Sequence, residues 1–438
     1  RFGTGFVSTH VLSKIVEITG NKIDQHNKMV GFSATMYREG IKDDEIIRDF
    51  KEMQKSQKFY PKLFPRTTFK YEISSDQSRK CVELGLNHLK SHIPEVLINC
   101  PQIKELVLIE NGIKTKYTLT KETNKAFFIY NIFINKSLFK RFILVKDRIN
   151  DINISVEIDD QQMIIPINNE MESIFVSFPL VGSREHILPF YINSPNFEPS
   201  TERNALILDG EEEINGKITT TKINRTLLLQ SCDLFNVLIS ALKERKIKNI
   251  YELSRGLVLS QKPYSSFDME WYQTVFLEKL RNTLANNITV VTSSGNEILL
   301  KDAYLPSKEI DPEILPQFIR LVERYCSNIV CEEDAILWKD RQWKDLNVVV
   351  IDGLMGEAEC DQFLLNEGQL PYLNELLGFV WNCLNDKNIL YEFRLIPDMN
   401  YNIHSLSKES EEFDMKESKT VPDQIIELME SIQIPWRS

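Results

Sequence analysis

Gly3, Thr4 and Gly5, set between Phe2 and Phe6, are the first residues whose types and spacing suit a chemical task. A Gly-x-Gly turn lets backbone N–H groups come close to an anion, and a helix that follows adds the positive end of its dipole. Val7, Val11, Leu12, Ile15 and Val16 fall at helical spacing and predict such a helix directly after the turn. A phosphate cradle and a plain tight turn are the two readings of this stretch. Ser8 and Thr9 would cap the helix, while His10 and Lys14 could add a donor or a charge near an anion.

Three other constellations carry less. His88 and His92 stand at i, i+4, a spacing that binds zinc in H-E-x-x-H helices, but Leu89-Lys90-Ser91 lies between them and a solvated pair is the plainer reading. Asp352-Gly353-Leu354-Met355-Gly356 spells a D-x-G-x-G string and reads as an ordinary turn after a short strand. No order of Ser, His, Asp or Cys residues suggests a nucleophile.

The elements that would hold these residues alternate in type. Strands are expected at 29–37 and 67–73, and helices at 43–58 and from Ser75, the latter limited or kinked by Pro94. Residues 103–178 read as strand after strand, a mainly antiparallel sheet punctuated by turns such as Asn111-Gly112. A long helix over 215–243 follows a Pro-rich loop at 194–203, with Leu227, Leu228, Leu234, Phe235, Leu238 and Leu242 to pack on that sheet. Beyond the charge run Lys243 to Lys248 come a helix near 265–284 with Ser265 and Asp268 as a capping box, and a hairpin around Ser294-Gly295. The fold class is α/β (α+β), with domains expected at 1–75, 76–245 and 246–438.

Composition sets the outer limits. The 438 residues are 42% hydrophobic and 26% charged, ordinary for a globular protein and too long for a single core. A net charge of −11 makes a broad nucleic-acid surface unlikely and leaves room for a local basic site. Seven scattered cysteines without a C-x-x-C pair predict reduced thiols and a cytoplasmic protein. The longest apolar run, 126–134, is too short to span a bilayer and no membrane partner is expected. The chain begins with Arg1 rather than methionine, and residue 1 is expected to be an interior point of a longer protein.

Read together, three stretches resemble the GHKL ATPases, the superfamily of gyrase, heat-shock protein 90, histidine kinases and MutL, and most closely its sacsin-type branch. Arg1 to Phe6 is similar to the family's lid motif G-x-x-G-x-G-F, lacking only the first glycine. Arg66-Thr67-Thr68-Phe69 lies where the family has a Thr-containing strand, although Arg66 replaces the usual glycine. Leu188-Pro189-Phe190-Tyr191-Ile192-Asn193 through Glu202-Arg203 resembles the middle-domain segment that offers an arginine to the γ-phosphate.

The resemblance implies the C-terminal part of a GHKL (Bergerat) sandwich, then a middle α/β domain, with a further α/β domain of unknown role. It implies ATP held by Gly3, Thr4, Gly5, Phe6 and Thr67, and Arg203, with Arg184 as the second choice, as the catalytic cation. A surface pairing of Arg203 with Glu202 or Glu198 is the competing role. The family's general base, magnesium-holding asparagine and adenine-reading aspartate would all precede Arg1, so Mg2+ has no expected ligand here. The implied function is an ATPase whose conformational cycle acts on a protein client, with a homodimer as one assembly it admits. A non-enzymatic interaction module and the ATPase component of a bacterial defence or stress system are the alternatives.

Overall fold

A computed structural model describes residues 9, 12–24, 26–186, 188–257, 259, 262–361, 364, 369–384, 388–397 and 403–405. The protein is a mixed α/β structure with several sheets, and it divides into two compact units, Arg1–Glu95 and Val96–Ser438.

The first unit is built on a four-stranded sheet in the order β3-β2-β1-β4, formed by β1 (Ile15–Ile23), β2 (Met29–Tyr37), β3 (Lys58–Tyr60) and β4 (Thr68–Tyr71). Ile15 and Val16, expected in a helix, instead open β1. They sit in a run rich in β-branched residues, and Val16 is fully buried between Met36 of β2 and Tyr71 of β4. Helix α1 (Asp43–Ser56), expected over 43–58, packs on β2. Its entry is fixed by acidic side chains. Glu45 accepts from the N–H groups of Ile41 and Lys42, and Asp49 accepts from those of Glu39 and Gly40 at 3.0 and 2.7 Å. Asn21 clamps the segment before β4 through paired 2.8 Å bonds to the backbone of Phe64.

Helix α2 (Asp76–Asn99) runs through Pro94 without ending there. In the second unit, eight strands make an almost wholly antiparallel ladder: β5 (Glu105–Glu110), β6 (Ile113–Thr123), β7 (Phe128–Ile134), β8 (Ser137–Asp147), β9 (Ile152–Ile158), β11 (Ile174–Val176), β12 (Phe178–Pro179) and β13 (Tyr191–Asn193). The order is β12-β11-β13-β9-β8-β7-β6-β5, with β10 (Ile164–Ile165) beside β9 and only β11–β13 parallel.

Strand alternation gives this sheet two different faces. Ile152, Ile154, Val156 and Ile158 of β9, Ile143 and Val145 of β8 and Ile192 of β13 join one core with helix α3 (Thr220–Glu244), which packs on β8 and β9. Phe142, Leu144, Asn153, Tyr191 and Asn193 point the other way, where Tyr191 meets Phe142 and Phe175 edge to face.

The α3 core continues on both sides of the Lys243–Lys248 charge run. α3 begins at Thr220 because Thr219 caps it and because 213–218 form a small hairpin, β14 (Glu213–Ile214) and β15 (Lys217–Ile218), turning on Asn215 and Gly216 at φ 50° and 72°. By length and composition α3 could cross a membrane, but 56% of its most apolar window is buried, as in the core helix of a folded domain. The following helix is capped by Asp268, which accepts from the Trp271 N–H at 2.9 Å, and not by Ser265. It passes from α4 (Met269–Trp271) through a π-helical stretch, Tyr272–Leu277, into α5 (Glu278–Ala285). Asp352 to Gly356, expected as a turn, lies inside a helix, α8 (Ile351–Cys360), which follows α6 (Leu315–Glu323) and α7 (Glu332–Trp338).

Candidate functional site

Gly3, Thr4, Gly5 and Phe6, the expected phosphate cradle, lie outside the described residues, as do Ser8 and His10. Thr67 lies in the first unit and immediately precedes β4, whose Thr68 pairs with Thr19 of β1. Its hydroxyl is exposed beside Gly20, where an added Cβ would stand 3.0 Å from Thr67 Oγ1. Glycine at 20 therefore keeps the space over this hydroxyl open.

Arg203 belongs to the second unit, at the tip of a turn closed by a bridge between Pro199 and Leu206. Within it the Ala205 carbonyl accepts from the Ser200 N–H at 2.8 Å, and the Ser200 carbonyl from the Arg203 N–H at 2.9 Å. The backbone of Arg203 is left-handed, φ 55°, a conformation that costs a residue with a Cβ, and the residue is exposed. Among the described residues Arg203 makes no ion pair, so the surface pairing with Glu202 or Glu198 does not occur. Glu198 instead accepts from the Thr220 hydroxyl at 2.9 Å.

The base of the turn is rigid. Asn224 of α3, fully buried, accepts from the Glu198 N–H and donates to the carbonyls of Glu198 and Ile207 at 2.9 and 3.1 Å. Gly182, at φ 95°, lets the chain before the loop approach closely: a Cβ there would sit 2.6 Å from the Asn204 carbonyl oxygen. Gly182→Ala is therefore expected to cost about 2 kcal/mol or more of stability, read as a lowered urea midpoint, because strain and backbone clash add. Arg184 lies nearby in sequence, exposed on the 3-10 turn Ser183–His186.

His186, which sequence reasoning passed over, is fully buried next to this turn among Tyr264, Phe267 and Tyr272. The Tyr264 hydroxyl donates to the Leu206 carbonyl at 2.9 Å, so it must accept from His186 Nε2–H at 3.1 Å. That assigns Nδ1 as the acceptor for the Tyr272 hydroxyl at 3.4 Å. Burial holds the imidazole neutral and pushes its pKa down to about 3.

In the unfolded chain the same group titrates near 6.5, so below that pH the unfolded state binds the extra proton. The stability that His186 lends is present above pH 6.5 and is lost as pH falls toward 3. By pH 5 the loss is about 2 kcal/mol. Urea titrations from pH 7 to 5 should show that fall in the native protein and a flatter dependence in His186→Phe.

The cavity that the strand alternation creates on the second unit's other sheet face was not foreseen either. It measures about 450 Å³ and has Asn99, Asn153 and Asn193 among its lining residues. Lys121, Lys146 and Arg148 line it as exposed cations. A helix end, strands β6, β8, β9 and β13 and the turn between β8 and β9 contribute these residues, spread over about a hundred positions of sequence, so no local motif announces them.

The fold and its sites define a mixed α/β protein with an exposed arginine held at a rigid turn and a basic cavity in its larger sheet. No protein-family model matches the chain, and no curated protein matches it.

Proposed function

We propose that the protein is an ATP-binding module of the heat-shock protein 90-like kind, in which nucleotide binding and hydrolysis drive a conformational change that acts on a macromolecular client. The observation that carries this reading is Arg203, a cation without a carboxylate partner among the described residues, presented at the tip of a turn whose base is locked by Asn224. A planar guanidinium kept free of ion pairs suits the oxygens of a γ-phosphoryl group, over which negative charge spreads during transfer. Thr67 supports it with an exposed hydroxyl at the end of a strand, the side chain the sequence resemblance assigns to the phosphates. Each group is of a kind that meets phosphate oxygens. Magnesium has no ligand assigned among the described residues, and its part in the chemistry rests on the resemblance alone.

The opening glycines supply the test. ATP affinity measured by calorimetry is expected to fall at least tenfold in Gly3→Ala and Gly5→Ala, since a Cβ would hold the backbone N–H groups away from the phosphates. Unchanged affinity in both variants would remove the cradle. An unmodified protein that binds no ATP at all would favour the interaction module.

A further inference from the structure

The cavity in the second unit lies on the face of the large sheet that helix α3 does not cover. Its floor holds polar groups that the fold leaves unsatisfied. Asn99, 4% exposed, has both its amide nitrogen and its amide oxygen without a partner, and Asn153, 6% exposed, lacks one for Oδ1. Buried amides are nearly always hydrogen-bonded, because each unmade bond costs on the order of 1–3 kcal/mol. These amide atoms are enclosed in the wall and closed to the cavity, so the contacts a ligand can make there come from the cations at its mouth. The third asparagine is already used, Asn193 Oδ1 accepting from the Ser177 N–H at 2.8 Å.

The mouth is positive. Lys146 pairs with Asp151 at 2.6 Å, which neutralises both, but Lys121 and Arg148 make no ion pair among the described residues. Lys121 lies 3.8 Å from the centre of the Phe128 ring. Partial burial and then the charges of Arg148 and Lys146 push its pKa down, the mark of cations crowded where an anion would relieve them.

We propose that this cavity binds a small organic phosphate of mononucleotide size, its phosphate between Lys121 and Arg148. The volume matches a small-molecule site, and the chain's net charge of −11 opposes a longer polyanion.

AMP and inorganic phosphate are the probes, titrated into the whole chain by calorimetry at low salt. AMP should bind, phosphate should compete with it, and Lys121→Gln with Arg148→Gln should weaken AMP at least tenfold. Both residues are exposed, so that double variant folds. Gly5→Ala should leave AMP binding intact, which separates this site from the proposed ATP site. No AMP binding at 10 mM, or AMP binding that survives the double substitution, overturns the proposal. So does a 12-nucleotide single strand that binds more than tenfold tighter than AMP and is alone affected by the double variant, since the cavity would then serve a nucleic-acid backbone.

Discussion

Arg203→Ala is expected to lower ATP turnover by the natural protein about 10³-fold while changing ATP affinity less than threefold. An arginine that meets the transferring phosphoryl group stabilises charge that develops only in the transition state, and such residues are worth about 10³–10⁵ in rate. Arg203→Lys should recover little of the loss, because an ammonium cannot reach two oxygens in the plane of a fork. The turn's hydrogen bonds are made by backbone and by Ser200 and Asn204, so the substitution leaves them in place. A stability change would therefore not be the cause of lost activity. Turnover within a factor of three of the native value, with the fold intact, would remove Arg203 from the chemistry.

The largest effect expected on stability is at Arg225. Its guanidinium donates to the Leu208 carbonyl from Nε and Nη2 at 3.0 and 2.8 Å and to Asp268 Oδ2 at 2.6 Å. It also lies 4.7 Å from the Trp271 ring centre, and only 12% of the side chain is exposed. Arg225 thus ties helix α3 to the strand-like segment after the Arg203 turn and to the start of α4.

Truncation to alanine removes the donor to Asp268 Oδ2 and to the Leu208 carbonyl, while Asp268 Oδ1 keeps the Trp271 N–H. A fully buried pair broken this way costs about 3–5 kcal/mol, and because 27% of Asp268 is exposed, about 2–3 kcal/mol is expected here. A lowered urea midpoint at unchanged slope would show it. Asp268→Asn should cost less, since an amide oxygen can still cap the Trp271 N–H. A loss below about 0.5 kcal/mol for Arg225→Ala would mean the contacts are made equally well by solvent.

Period-two and helical patterns revealed much of the second unit in advance. The antiparallel run from β5 to β9 and the apolar stripe of α3, from Leu227 to Leu242, lie where alternation and spacing put them. The failures have physical causes. Ile15 and Val16 satisfied a helical spacing that strand pairing on both sides overrode. Asp352 to Gly356 looked like a turn because two glycines disfavour helices, yet Leu354 and Met355 are buried and tertiary packing holds the segment helical.

Sites were less legible than elements. Arg203 stood out only through the resemblance of the 188–203 segment, and its left-handed backbone could not be read from the residue type, since asparagine and glycine are the usual markers. The cavity left one trace: Asn153 and Ser155 interrupt Ile152-Asn153-Ile154-Ser155-Val156 at every second position, which marks a polar face without showing that the fold buries it.

Helix α3 covers only part of the large sheet, lying on β8 and β9, while the outermost strands β5 and β6 carry Ile109 and Ile113 at about 70% exposure. Covered ladder bonds open only when the core opens, whereas edge ladders fray on their own. Deuterium should therefore enter the sheet as a gradient, within minutes at 105–116 and over hours or longer at 143–146 and 152–158, so that the edge strands exchange their amides while the core beneath α3 is still intact.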